Sequence, residues 1–143
     1  MIIASKETTD EDPSIPTRPG WAGMHTWWVL SKETSGTTGV VTCISEFAPG
    51  VAHTLHRHAN ARETLYMAWG SGLMFSDTQI RRVCAGDTIT VELNEWHAFM
   101  NDRKETVRII GFYAHDTYAD IDYEEMPSSL ETYQALRAAH PDV

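Results

Sequence analysis

The stretch GVAHTLHRHANARETLYMAWG, residues 50–70, concentrates side chains that bind metal ions. Neighbouring side chains of a β-strand point to opposite faces, so His56 and His58 share one face and Arg57 lies on the other. This spacing lets two imidazoles converge on one ion. After the four residues ANAR, Glu63 begins an alternating run, and a turn between the two segments brings its carboxylate into the same space. The stretch therefore predicts a metal site on two adjacent strands.

A second stretch, GDTITVELNEWHAFMN at residues 86–101, supplies His97 at the start of another predicted strand. The fold, rather than local spacing, has to bring this histidine to the first three residues. Three imidazoles and one carboxylate form a borderline-soft donor set that accepts iron(II), manganese, nickel, copper, cobalt or zinc. We therefore expect one divalent transition metal ion per chain. Its predicted ligands are His56, His58, Glu63 and His97, and Glu63 is also the candidate catalytic base.

Short apolar or alternating runs separated by turn residues extend from Trp21 to about Tyr113. Many short strands at close spacing are typical of an antiparallel sandwich or barrel. Only the segment MPSSLETYQALRAAH has a helical pattern, and it begins with Ser128 and Glu131 spaced as a capping box. We therefore predict an all-β barrel or jelly roll with a short C-terminal helix. The predicted strands lie near 25–31, 39–47, 53–58, 63–69, 73–76, 79–83, 88–91, 97–101 and 106–114.

The length of 143 residues fits one domain. Residues 1–20 are polar and contain three prolines, which predicts an N-terminal arm. Residues 21–118 form the predicted barrel, and residues 119–143 form a C-terminal extension that carries the helix. This division leaves one predicted core, inside the barrel.

The net charge of -9 argues against nucleic acid or an anionic membrane as a partner, because both need a basic surface. Two cysteines are too few for a disulfide framework. The first residues have no basic flank before an apolar run, and no apolar segment is long enough to span a membrane. We therefore expect a cytoplasmic protein whose partner is a small-molecule substrate.

The two stretches resemble the two sequence motifs of the cupin superfamily. The first motif has a glycine, five residues, His-x-His, three or four residues, a glutamate, six residues and a glycine, and residues 50–70 match every fixed position. In the second, Glu92 and Asn94 stand where the family usually has proline and glycine, and asparagine tolerates the left-handed conformation that glycine supplies. The motifs cover about residues 50–101, and the strand pattern extends the resemblance over roughly 25–114. It implies a single cupin barrel with the metal inside, bound by the same four residues, and a homodimer formed through early strands.

Apolar residues near the predicted ligands are candidates for the walls of a substrate pocket. The alternation of the strand that begins at Glu63 places Leu65, Met67 and Trp69 on the side of its carboxylate. Phe99 shares the face of His97 by the same rule. The predicted pocket residues are Leu65, Met67, Phe99 and Tyr113.

Two other predictions follow from strand alternation. His53 lies three residues before His56, so it is expected opposite the ligands, on the rim or surface. Trp27 and Trp28 are adjacent, so one is expected in the core and one outside.

Three functions are compatible with these residues. The first is an oxidoreductase of dioxygenase type that acts on a small oxygenated compound, as the resemblance to cupins with this ligand set implies. The second is a non-redox isomerase, lyase or polyketide-type cyclase, in which the metal acts as a Lewis acid. The third is a non-catalytic binding protein, which is disfavoured because the ligand set is intact and no DNA-binding helical segment is present. The sequence places oxidation slightly ahead, although one fold hosts many functions.

Overall fold

The computed structural model describes residues 1–143, and all its paired strands are antiparallel. The larger sheet contains five strands, the smaller sheet contains three, and two short strands pair separately. The predicted all-β architecture with a short C-terminal helix is confirmed. The elements in chain order are β1 (Met24–Leu30), α1 (Lys32–Ser35), β2 (Val41–Phe47), β3 (His56–Arg57), β4 (Glu63–Trp69), β5 (Ser71–Phe75), β6 (Ile80–Cys84), β7 (Thr88–Val91), β8 (Ala98–Met100), β9 (Val107–Tyr113), β10 (Glu124–Glu125) and α2 (Ser129–Ala139).

The strands are ordered β1-β2-β9-β4-β7 in the larger sheet and β6-β5-β8 in the smaller one. Strand β9 shows how alternate side chains enter the core. Val107, Ile109 and Tyr113 are buried, whereas Arg108 and Phe112 are exposed. Buried side chains from both sheets meet in one apolar cluster. Because most strands have one apolar face, the two sheets bury these faces against each other.

The strand predicted at 53–58 is much shorter in the structure, where only His56–Arg57 is a strand. Residues 51–55 are irregular apart from an isolated bridge between Ala52 and Met100. Two elements, α1 and β10, have no counterpart in the sequence prediction. Both helices are too short to span a membrane.

The segments at both chain ends pack onto the barrel. On the N-terminal side, the Asp12 amide donates to the Thr26 carbonyl at 2.8 Å, and Ile15 is buried in the core. On the C-terminal side, β10 pairs with β3, and Tyr133 of α2 is buried against the barrel. The predicted capping box does not form, because the Ser128 side chain makes no capping hydrogen bond. The ends of the chain therefore complete the walls around β3.

Candidate metal centre

The four predicted ligands converge at one point inside the barrel. His56 lies on β3, Glu63 begins β4, and His97 immediately precedes β8. Backbone hydrogen bonds of 3.1 and 2.9 Å join His56 and His97 in both directions, so these two residues lie opposite each other. One ligand atom from each of the four side chains lies within 4.8 Å of the others.

A turn after β7 places His97 in this position. Asn94 has a φ of 62°, and it is the one non-glycine residue with a positive φ. Its amide donates to the His58 carbonyl at 2.8 Å, which fixes the turn to the ligand segment. Asparagine adopts the left-handed conformation more readily than most residues, so Asn94 can take the position where the family motif usually has glycine.

Backbone carbonyls orient all three imidazoles in the same way. The Nδ1 atoms of His56 and His97 lie 3.1 Å from the carbonyl oxygens of Thr54 and Glu95, respectively. The Nδ1 atom of His58 lies 2.5 Å from the carbonyl oxygen of Asp122, in the C-terminal extension. A carbonyl only accepts, so each Nδ1 carries a proton, and Nε2 is the atom of each ring that is left for a metal ion. This outer arrangement is typical of histidines that ligate metals.

Three polar atoms at the centre have no hydrogen-bond partner although they are enclosed: His58 Nε2, His97 Nε2 and Glu63 Oε2. The carboxylate oxygen lies 2.8 Å from His97 Nε2 and 3.8 Å from His58 Nε2, without hydrogen-bond alignment. Buried polar atoms are costly when they are left unpaired. A divalent metal ion would satisfy all three together, and the donor set suits such an ion.

The ionisation of the cluster also suits metal binding. Burial by itself raises the pKa of the Glu63 carboxyl, but the adjacent His58 and His97 outweigh burial and hold that pKa well below its usual range. Burial, followed by the neighbouring His97 and the other histidines, lowers the pKa of His56 well below its ordinary value. At neutral pH the carboxyl is therefore ionised and His56 is neutral, which are the forms that bind metal.

A narrow cavity lies against the cluster. Its volume is about 500 Å³. Most of the lining side chains are hydrophobic, and several are aromatic. Aromatic side chains therefore form much of the wall beside the candidate ligands. Its lining residues include Trp21, Trp28, Phe47, His53, His56, Glu63, Leu65, His97, Phe99, Tyr113 and Tyr123.

Three of the four predicted pocket residues lie at the cavity, and the fourth does not. Leu65, Phe99 and Tyr113 line the cavity. Met67 does not line it and is fully buried in the apolar cluster between the sheets. A register irregularity between Met67 and Trp69 interrupts the alternation of β4, and Trp69 is 63% exposed rather than beside the carboxylate.

His53 is buried and lines the cavity, so its predicted position on the rim or surface is wrong. The alternation rule failed because residues 51–55 are not a regular strand. Trp28 is buried and lines the cavity, whereas Trp27 is half-buried on the outside, as the adjacent pair predicted.

The chain-terminal segments contribute walls that sequence reasoning missed. Trp21 and Tyr123 approach with their rings 6.0 Å apart, and the Arg18 guanidinium lies over both. The Trp21 indole N–H donates to Glu125 at 3.2 Å, and Arg18 also pairs with that carboxylate. No local sequence signal relates these residues, because more than a hundred positions separate the two segments.

Comparison with known proteins identifies the fold family. The protein-family model of the cupin domain matches residues 43–113, which include all four predicted ligands. The chain belongs to the cupin superfamily. No sequence among the curated proteins matches this cupin.

Several solved structures have the same fold. The polyketide cyclase RemF from Streptomyces resistomycificus is similar with a TM-score of 0.75 and 16% identity, over 94% of this chain and 93% of that one. A sugar phosphate isomerase of the cupin superfamily from Silicibacter pomeroyi has a TM-score of 0.69 and 10% identity, over 90% of this chain and 95% of that one. An oxalate oxidase has a TM-score of 0.63 and 21% identity, over 80% of this chain and 59% of that one. At these identities the similarity establishes the fold alone.

Proposed function

We propose that this cupin is a metal-dependent enzyme that cyclises or isomerises a flat, oxygen-bearing compound without net oxidation. The observation that carries the proposal is the narrow, aromatic cavity that opens directly onto the four-ligand cluster. A flat substrate with two neighbouring oxygens, such as a β-dicarbonyl of polyketide type, fits both the shape and the donor set.

Residues of the chain have distinct parts in this proposal. His56, His58, Glu63 and His97 would hold the divalent ion, which supplies Lewis-acid polarisation of a substrate carbonyl when it is bound. The aromatic walls hold a planar ring and exclude water, which strengthens polar interactions at the reacting carbon. Glu63 is the candidate to accept a substrate proton, through a carboxylate oxygen that the ion does not occupy.

The names of two comparison structures agree with this proposal. RemF and the sugar phosphate isomerase match 94% and 90% of the chain, whereas the oxalate oxidase matches 80%. Cyclisation and isomerisation both leave the oxidation state of the substrate unchanged.

Dioxygenase-type oxidation is the second candidate. The donor set accepts iron(II) and copper as well as zinc, and redox-active metals support oxygen chemistry. The metal and the need for oxygen therefore distinguish the two proposals.

The test begins with the metal. Purified protein should contain close to one transition metal ion per chain, and His58→Ala should lose it while keeping the circular dichroism of a folded β-protein. The matched control is His140→Ala, because His140 is exposed and distant in sequence from the cluster. Retention of the metal by His58→Ala would reject the proposed ligand set.

The second step compares turnover of aromatic β-dicarbonyl compounds with and without oxygen. We expect product of unchanged oxidation state under strict anaerobiosis, at the rate seen in air. Consumption of oxygen in proportion to product, with no anaerobic turnover, would replace the cyclase or isomerase proposal by the dioxygenase.

We also propose that the protein is a cytoplasmic homodimer. Apolar side chains on the outer face of the larger sheet support the dimer. Trp27, Ile44, Ile110 and Tyr66 are register partners across β1, β2, β9 and β4, and they form an outer row across the sheet.

A further inference from the structure

His53 is a buried histidine beside the metal centre that the proposed chemistry does not use. Its ring stacks on Trp21, with centroids 4.6 Å apart and planes inclined by 10°. Phe47 packs at 5.6 Å, and the ring of His56 lies at 4.9 Å. Aromatic neighbours therefore hold the ring in one orientation.

The backbone of His53 is fixed as firmly as its ring. Its amide donates to the Phe99 carbonyl of β8 at 3.3 Å. Its carbonyl accepts a hydrogen bond from the hydroxyl of Tyr133 in α2. Two elements that are distant in the chain thus position this residue, although it lies in an irregular segment.

The polar atoms of the ring have different surroundings. Nδ1 lies 3.1 Å from the Thr54 carbonyl oxygen, so Nδ1 carries the proton and Nε2 presents a lone pair. Nε2 has no hydrogen-bond partner in the protein, and it is not among the fully enclosed unpaired atoms, unlike the Nε2 atoms of His58 and His97. It therefore remains open to the cavity that His53 lines.

We infer that His53 Nε2 accepts a hydrogen bond from a substrate hydroxyl next to the oxygens that bind the metal. The inference rests on the proposed function and deepens it. Because His53 contacts the ligand His56, the hydroxyl it recognises is adjacent to the chelating pair. The preferred substrate class is a planar ring or enol system with three neighbouring oxygens, one of them a hydroxyl donor.

The surroundings keep this acceptor available. The ring packs against the aromatic side chains of Trp21 and Phe47 and forms no ion pair, so no charged group of the protein occupies Nε2. A neutral ring with Nδ1 protonated is an acceptor at Nε2 and at no other atom. Most side chains that line the cavity are hydrophobic, so few protein groups compete for this lone pair.

Two small probes that differ by one hydroxyl test the inference. Catechol has two adjacent hydroxyls and pyrogallol has three, and both are flat enough for the cavity. Protein loaded with cobalt(II) is titrated with each probe without oxygen, and the visible cobalt spectrum reports binding. Wild-type protein should bind pyrogallol about tenfold more tightly than catechol, the size expected for one buried hydrogen bond.

Two variants separate the acceptor from the packing. His53→Phe keeps an aromatic ring on Trp21 but removes Nε2, so the preference for pyrogallol should disappear while catechol affinity and cobalt content stay unchanged. His53→Gln provides a side-chain oxygen near the position of Nε2 and should restore part of the preference. If His53→Phe prefers pyrogallol over catechol as strongly as the wild-type protein does, the inference is overturned.

A third probe requires no variant. In 3-methoxycatechol the third oxygen has no proton to donate, so wild-type protein should bind it no more tightly than catechol. Binding as tight as that of pyrogallol would overturn the acceptor role. If catechol fails to perturb the cobalt spectrum in every protein, the proposed chelation of substrate fails first, and the inference fails with it. Catechol binding without a preference for pyrogallol overturns the inference alone.

Discussion

At the scale of single residues, the buried histidines make the stability of the metal-free protein depend on pH. The folded pKa of His53 is about 4, below its ordinary value of 6.5. Between these values the unfolded chain binds more protons, so stability is fully present above pH 6.5 and falls as the pH approaches 4. The loss from His53 is about 3 kcal/mol. His56, whose pKa is also lowered, acts in the same direction.

Urea unfolding in the presence of a chelator measures this dependence. The free energy of unfolding of the wild-type protein should fall steeply between pH 7 and pH 4.5. In His53→Gln the fall should be smaller, because the glutamine does not titrate. An identical pH dependence in both proteins would show that the pKa of His53 is the same in the folded and unfolded states, contrary to its burial.

The convergence of His56, His58, Glu63 and His97 could be predicted from the sequence, because two of them share a strand face and the family motif fixes the rest. The position of His53 could not be predicted in this way. Its alternation relative to His56 was counted along a strand that the chain does not form there. Residues in irregular segments are placed by distant contacts, here with Phe99 and Tyr133, and these contacts leave no local pattern.

At the scale of elements, the start of α2 is anchored beside the metal-binding segment. The Ser129 hydroxyl accepts from the Leu55 amide at 3.0 Å and donates to the Met126 carbonyl at 2.7 Å. Ser129→Ala would leave the buried Leu55 amide without a partner, so the free energy of unfolding should fall by about 1–3 kcal/mol. Thermal or urea denaturation of the variant measures this loss.

Ser128→Ala is the matched control for this prediction. Ser128 is exposed, and its side chain makes no capping hydrogen bond, so the change in stability should stay within about 0.5 kcal/mol. Equal losses in the two variants would mean that the helix start, rather than the contact with Leu55, sets the stability.

This pair of serines also shows what sequence can predict about an element. The helix itself was predictable, because its residues favour a helix and follow a recognisable start. Its docking was not, because Ser129 bonds to a residue 74 positions earlier. The strand β10 was missed for the same reason, since its two residues become a strand only by pairing with β3.

At the scale of the whole molecule, the outer face of the larger sheet is the surface on which we expect a second copy to pack. The outer row described above lies beside Phe112, and Tyr66 and Phe112 are 40% and 39% exposed. Apolar side chains concentrated on one sheet face are typical of interfaces. Sedimentation at micromolar concentration should therefore give twice the mass of one chain.

Charge placed on this face should separate the dimer. In Tyr66→Lys/Phe112→Lys, each interface would bury unpaired ammonium groups, so we expect a folded monomer that retains its metal. Leu130→Lys is the control, because Leu130 is 64% exposed on α2 and should not affect association. A wild-type monomer at these concentrations would contradict the dimer. A double variant that still dimerises would place the interface elsewhere, since two buried lysines facing their symmetry copies cannot be accommodated without a large loss of affinity.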